Sequence, residues 1–381
     1  MTKPKTENNI KFILKNDFRK RTAAIYFFLL VSGFLNICSG QTVTVKPSDK
    51  KISYSGRIGL ERSDEADIYW PGSSIKLRFK GTSLKAVLKD KPGNYFYVIT
   101  DNDTNHLVKI KLDTAKKRYQ LAQNLVYRKH TIELFKLTNS TTATTFFGFE
   151  LGGKTKLLKP APKPKRKMEF FGNSITAGHG VDVNPDSTDS GASQFFNNYR
   201  TYAAITARHF NAQYSCIARS GIGLMVSWFP EIMPETYDRI NPYDNARKWN
   251  FSKYTPDVVV INLLQNDYWI INQPNHEQFI KRFGKQKPDS DFITQAYKNF
   301  LHQVRSKYPK ASIICTLGSM NGTEDGSPFP RYIVKAIEEM NDKNILHHFY
   351  PFKKTPGHPR IKEQQVMAAS LIKFIEDNIK W

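Results

Sequence analysis

From Gln41 to about Gly153 the chain alternates apolar and polar positions in short runs. "SIKLRFKG", "SLKAVLKD", "YFYVITDN", "LVKIKLD", "HTIELFKLT" and "TTFFGFELGG" are separated by Gly, Asp, Asn and Lys turns. A period of two, broken by turn residues at even spacing, predicts strands rather than helices, and so many short strands predict a β-sandwich of jelly-roll type. The segment "KTKLLKPAPKPKRK", residues 154–167, interrupts this pattern with prolines and lysines. It is expected to be an extended connector or a solvated strap along one domain.

After residue 167 the pattern changes. "MEFFGN", "AQYSCIA", "PDVVVINLL", "ASIICTLG" and "NILHHFY" are near-continuous apolar runs of strand length. Between them, "NYRTYAAITARHF", "DFITQAYKNFLHQVRSKY" and "RYIVKAIEEMND" repeat apolar positions three and four apart, as does the closing "IKEQQVMAASLIKFIEDNI". Strands buried on both faces and alternating with helices predict an α/β domain with a mostly parallel, doubly wound, flavodoxin-like sheet over 168–381. The expected organisation is therefore residues 1–40 as a leader, 41–153 as the sandwich, 154–167 as linker and 168–381 as the α/β domain.

The leader reading rests on basic residues before an apolar stretch from about Ala23 to Ile37, then small residues before Gln41. About 15 apolar residues are short for a membrane span, which needs about 20. Cleavage near Gly40 makes the mature chain secreted or periplasmic, with no membrane span. Lipidation at Cys38 is disfavoured by the bulky Ile37 beside it, and an uncleaved anchor by the short apolar run. Of the formal charge of +23, a cleaved leader removes seven basic and two acidic residues, leaving 50 basic against 32 acidic. No nucleic-acid-binding module accompanies that charge, and the lysines are scattered, which favours solubility and weak attraction to anionic material. Cys216 and Cys315 lie in strand-like runs and are expected to be buried free thiols.

In a parallel sheet the C-terminal strand ends share one edge, where such folds keep their chemistry. Ser174 directly follows the first strand and opens the next helix, with its own N–H facing outward. A serine needs a base, and His358 is in the loop "KKTPGHPRIKEQQ" that returns to the same edge. Backbone N–H groups at Gly221 or Gly223 in "ARSGIGLM", and the side-chain amide of Asn266 in "LLQNDYW", are oxyanion donors from the neighbouring strand ends. His209, His302, His347 and His348 fit helix or strand positions without a catalytic role. No ligand spacing such as HExxH is present, and no metal or other cofactor is expected.

Ser174, Gly221, Asn266 and His358, in that order, resemble the four blocks of the SGNH hydrolases, the GDSL-type esterases. "GRIGLE", "DIYWPGSSIKLRFKGTSLKAVLKD", "HTIELFKLT" and "KPKRKMEFFGNSITAGHGV" make the chain similar to carbohydrate esterase family 2. The resemblance implies a jelly-roll domain ahead of an SGNH domain, and removal of O-acetyl groups from polysaccharides or oligosaccharides. It implies Ser174 as nucleophile, His358 as base, and Ser174, Gly221 and Asn266 as the oxyanion hole.

Three positions depart from the pattern: Asn173 for the usual Asp, Leu264 for Gly, and Thr355 where an Asp commonly precedes the histidine. With Thr355 there, a Ser174–His358 dyad held by a backbone carbonyl is expected. Asp267 is an alternative partner, though better suited to binding backbone groups of its own loop. Trp269, Tyr268, Trp228 and His179 are candidate sugar contacts, while Trp70 is assigned to the sandwich core or its interface. The rival functions are an SGNH esterase or acyltransferase for a non-carbohydrate acyl group, and a catalytically impaired carbohydrate-binding protein.

Overall fold

The computed structural model describes residues 42–381, which form one compact unit. The expected leader, Cys38 included, lies outside the described residues. The chain first forms β1 (Val43–Val45), β2 (Ile52–Ser55), β3 (Ile58–Gly59), β4 (Ala66–Ile68), β5 (Ser74–Gly81) and β6 (Leu84–Asp90). It continues with β7 (Tyr95–Thr100), β8 (Val108–Lys111), β9 (Lys117–Ala122), β10 (Arg128–Lys136), β11 (Thr144–Leu151) and β12 (Lys156–Leu157). These make two antiparallel sheets, ordered β3-β4-β11-β6-β9 with β1 on β11, and β12-β5-β10-β7-β8 with β2 on β5. Ile75, Leu77, Phe79, Leu88, Phe146 and Phe149 fill the space between them.

The proline-rich segment is a strap packed on the sandwich. β12 pairs with β5, the Leu158 N–H donates to the Arg78 carbonyl at 3.0 Å, and Gln213 Nε2 donates to the Pro164 carbonyl at 2.7 Å.

The second half contains a five-stranded parallel sheet of β13 (Lys167–Gly172), β14 (Gln213–Ala218), β15 (Val258–Asn262), β16 (Ser312–Leu317) and β17 (Ile345–Phe349). Its order, β14-β13-β15-β16-β17, is the 2-1-3-4-5 order of flavodoxin-like sheets. The helices are α1 (Ser174–Ala177), α2 (Tyr202–His209), α3 (Met233–Thr236), α4 (Gln265–Ile270), α5 (Glu277–Phe283), α6 (Ser290–Lys307), α7 (Phe329–Met340) and α8 (Ile361–Asn378). Alternate strand residues enter opposite cores. Phe171, Val259, Ile261 and Ile313 meet Phe300 of α6 and Ile333 of α7, while Phe170, Val258, Val260 and Ile314 meet Ala203 of α2 and Leu371 of α8. Burial on both faces is why these strands lack polar alternation. Cys216 and Cys315 are buried and unbridged, as expected.

The sandwich joins this core through the outer face of one sheet. Phe96 and Val98 of β7 point into the sandwich, whereas Tyr97, Ile99, Phe135 and Leu137 pack with the α2–α8 side of the parallel sheet. Trp70 is fully buried at this junction, its indole N–H donating to the Arg239 carbonyl at 3.2 Å. Arg57 also crosses the junction. Its guanidinium lies 3.1 Å from Glu169 of β13, both side chains are wholly buried, and it donates to the Tyr237 carbonyl. Glu169 further accepts from Ser215 Oγ at 2.8 Å and Tyr308 Oη at 2.5 Å, so its charge is well bonded.

Candidate active site

β13 ends at Gly172, and Asn173 caps α1 by accepting from the Ile175 N–H at 3.1 Å. Ser174 is the first residue of that helix, so its N–H has no acceptor within the helix. Its side chain is buried, and its Oγ lies 2.9 Å from Nε2 of His358. His358 comes from the loop between β17 and α8, as its place in the sequence implied.

A carboxylate does face the other ring nitrogen, and it is neither Thr355's position nor Asp267 that supplies it. Asp189, in the loop between α1 and α2, holds Oδ2 2.6 Å from His358 Nδ1 and accepts the His358 backbone N–H at 3.1 Å. Its Oδ1 accepts from Arg360 at 2.8 Å, and the same guanidinium nitrogen donates to the Gly180 carbonyl at 2.9 Å. The expected two-residue dyad therefore becomes a three-residue chain. An ionised carboxylate only accepts, so the ring proton belongs on Nδ1 and the Nε2 lone pair faces Ser174. Burial works to raise the Asp189 pKa, but the hydrogen bond and charge of His358, joined by Arg360, outweigh it and hold the carboxyl well below its usual range. Thr355 hydrogen-bonds Glu363 instead.

Asp267 takes the structural role. Fully buried at the start of α4, it accepts from the backbone N–H groups of Leu224 at 2.9 Å, Met225 at 2.7 Å and Val226 at 3.0 Å. That clamp shapes the loop that carries Gly221. Gly221 has φ 84, and a Cβ on Gly223 would meet the Val226 carbonyl oxygen at 1.9 Å, so this loop depends on glycine. Asn266 is buried on α4. Its Nδ2 donates to the Ile222 carbonyl at 2.7 Å and its Oδ1 accepts from Trp228 Nε1 at 2.9 Å. The amide is thus fixed in orientation, with one N–H of Nδ2 left for a ligand.

The sugar-contact candidates separate. Trp228 is 42% exposed and bonded to Asn266, which places an accessible indole beside an expected oxyanion donor. Tyr268 packs on Phe329, while Trp269 bonds Asn321 and packs against the core; both are half-buried. His179 stacks on His358, with ring centroids 3.9 Å apart and planes 19° from parallel. Burial first, then the neighbouring His358, pushes its pKa down to about 3, which keeps it neutral. His179, Asp189 and His358 bring donor atoms within 4.8 Å of one another. Both His358 nitrogens are already engaged by Ser174 and Asp189, an arrangement suited to proton transfer rather than metal ligation.

The model of the carbohydrate esterase 2 N-terminal domain matches residues 54–162, and that of the GDSL-like lipase/acylhydrolase family matches 170–345. A family two carbohydrate esterase from Clostridium thermocellum, solved in complex with cellohexaose, is 30% identical and superposes with a TM-score of 0.75. The match covers 86% of this chain and 98% of that one. The chain belongs to carbohydrate esterase family 2.

Among further relatives, the cellulase/esterase CelE of Acetivibrio thermocellus is 33% identical over 344 residues, 87% of this chain. The chain spans 40% of the length of that relative. An acetylxylan esterase / glucomannan deacetylase of Cellvibrio japonicus is 23% identical, covering 94% of this chain and 99% of its own. Two departures from the family pattern have visible local roles. Asn173 caps α1 as an Asp would. Leu264 adopts φ 79, the left-handed backbone a glycine would take, and its buried side chain joins the core in exchange for that strain.

Proposed function

We propose that this family 2 member is an exported O-acetylesterase acting on polysaccharides or their oligosaccharides, with Ser174, His358 and Asp189 as its catalytic chain. The observation that carries the reading is the continuous path from Ser174 Oγ to His358 at 2.9 Å and from His358 to Asp189 at 2.6 Å. The family relatives and the accessible Trp228 beside Asn266 support a sugar substrate, and the leader-like residues 1–40 support export. Among the described residues no helix is long and apolar enough to cross a membrane.

In this mechanism His358 Nε2 takes the Ser174 proton as Oγ attacks the acetyl carbonyl. The oxyanion is held by the N–H groups of Ser174 and Gly221 and by the free Nδ2–H of Asn266, each such donor being worth about 3 kcal/mol in the transition state. Collapse breaks the ester C–O bond, and His358 returns its proton to the sugar oxygen. Water, deprotonated by His358, then releases acetate and regenerates Ser174. Asp189 stabilises the transient imidazolium throughout. The catalytically impaired reading rests on Thr355 in place of a carboxylate and on Leu264 in place of Gly; the Asp189 carboxylate 2.6 Å from His358 Nδ1 speaks against the first of these grounds.

The test is acetate release from 4-nitrophenyl acetate and from acetylated xylan. The wild type is expected to act on both, and Ser174→Ala and His358→Ala to lose at least about 10³-fold in kcat. Full activity in either variant refutes the assignment, and activity on the small ester without any on acetylated glycans refutes the substrate class.

A further inference from the structure

A groove runs under the proline-rich strap where the sandwich meets the α/β layer. It consists of two adjoining cavities of about 320 and 310 Å³, which share Ser55, Lys163, Gln213 and Tyr214 as lining residues. Lys167 and Gln213 begin β13 and β14, whereas Ser174 and Gly221 follow the opposite ends of those strands. Six residues of strand at about 3.3 Å each separate the groove from the acetyl site by about 20 Å.

The charge of the groove is one-sided. Lys76, Arg78, Lys163, Lys167, Arg208 and Lys253 line it, against the single carboxylate of Glu133. Glu133 is already taken by Lys76 at 2.9 Å. None of the other five cations forms an ion pair among the described residues; Arg78 and Lys163 reach only backbone carbonyls, at 3.3 and 3.4 Å. The Arg208 guanidinium lies 3.8 Å from the centre of the Tyr199 ring, an arrangement that leaves its N–H edge free to fork onto a carboxylate. Concave, protein-walled space concentrates such a field, and like charges held together are relieved by an anion.

The remaining walls suit a sugar. Tyr54, Tyr214, Trp249 and Tyr254 supply ring surfaces, and Ser53, Ser55, Ser74, Asn102 and Thr104 supply hydroxyl and amide groups. Trp249 carries a buried indole N–H with no acceptor in the protein.

We propose that this groove is a second glycan site, binding a uronate-bearing stretch of polysaccharide, with Arg208 pairing the uronate carboxylate. The proposal rests on the glycan-directed reading above for its biological sense, but binding here requires no turnover. Bound in the groove, an acidic chain anchors the enzyme on its polymer without occupying Ser174.

The experiment is titration calorimetry of the full chain with a glucuronate-substituted xylo-oligosaccharide and with the neutral oligosaccharide of equal length. Wild type, Arg208→Gln and the double variant Lys163→Gln/Lys253→Gln are compared, each also assayed on 4-nitrophenyl acetate. The acidic ligand is expected to bind more tightly than the neutral one, with affinity falling as salt rises. Both variants are expected to lose about tenfold, the scale of one charge-assisted contact, while hydrolysis of the small ester stays at the wild-type rate. Equal binding of the two ligands, or unchanged affinity in both variants, overturns the proposal. Absence of small-ester hydrolysis by the wild type strikes the esterase reading instead and leaves the binding result to stand by itself. Two separate variants guard against loss of folding in either.

Discussion

Asp189→Asn probes the least expected part of the site. The substitution keeps the shape and removes the charge. In the wild type one carboxylate oxygen faces Nδ1 of His358 at 2.6 Å and the other accepts from Arg360 at 2.8 Å. An asparagine has one accepting oxygen, and Arg360, which can only donate, claims it. The amide NH₂ then faces Nδ1, which must accept, so the ring proton moves to Nε2, where it blocks proton transfer from Ser174. In serine proteases the same change costs about 10⁴-fold in kcat. Here the Asp189 side chain is 26% exposed and shares its charge with Arg360, so screening discounts the effect. The expected loss is about 10²–10³-fold in kcat, or about 2.7–4 kcal/mol at 1.36 kcal/mol per decade, with KM for 4-nitrophenyl acetate little changed. The assay is steady-state hydrolysis at neutral pH, with Ser174→Ala as baseline. A variant keeping more than about a third of wild-type kcat would show that Asp189 merely staples its loop and that His358 is oriented by other means.

Asp267→Ala strips the acceptor from three buried N–H groups, at about 1–3 kcal/mol each where water does not replace it. Urea unfolding should show a loss of at least about 3 kcal/mol, and kcat should fall because the Gly221 loop relaxes; unchanged stability would contradict the clamp. His179 tests the pH dependence. Its folded pKa of about 3 lies below the unfolded value of about 6.5, so the unfolded chain binds more protons in that window. Its contribution is complete above about pH 6.5 and is lost as pH falls toward 3. His179→Phe, which keeps the stack, should flatten melting temperature against pH across that range, and an unaltered slope would refute the assignment. Trp228→Phe removes the N–H on Asn266 and should lower kcat severalfold on both substrates. Trp228→Ala should in addition raise KM for acetylated xylan by about tenfold, with no such rise for the small ester.

How much of this was legible depended on whether the signal was local. "SIKLRFKG" is β5 over the same residues, and "PDVVVINLL" contains β15, because a strand's burial writes itself into consecutive positions. Ser174, Gly221, Asn266 and His358 could be placed because each directly follows, or lies just before, a recognisable element. Asp189 carries no such mark. It sits in "VDVNPDSTDSG", where Asp, Asn, Ser and Pro are ordinary turn formers, and only the folding of that loop against the His358 loop distinguishes it. The strap is half legible: its prolines and lysines fit a strap or a free connector alike, and a two-residue pairing with β5 decides between them. Helices α3, α4 and α5, at four to seven residues, are too short to show a helical period, and no periodic run marks them in the sequence.

The Arg57–Glu169 pair bears on how far this protein can be taken apart. A gene cut at the strap, keeping only the chain from β13 onward, would yield a hydrolase layer whose Glu169 has lost its cation and whose Phe170 side of the sheet has lost the cover of Tyr97, Ile99, Phe135 and Leu137. Stripping one partner from a buried ion pair alone costs about 3–5 kcal/mol, a large share of the whole stability of an ordinary domain. The two halves read as separate modules in sequence, yet either one expressed alone leaves one member of this pair without its partner, and moving the hydrolase layer onto a foreign neighbour would require a new partner for Glu169 or its replacement.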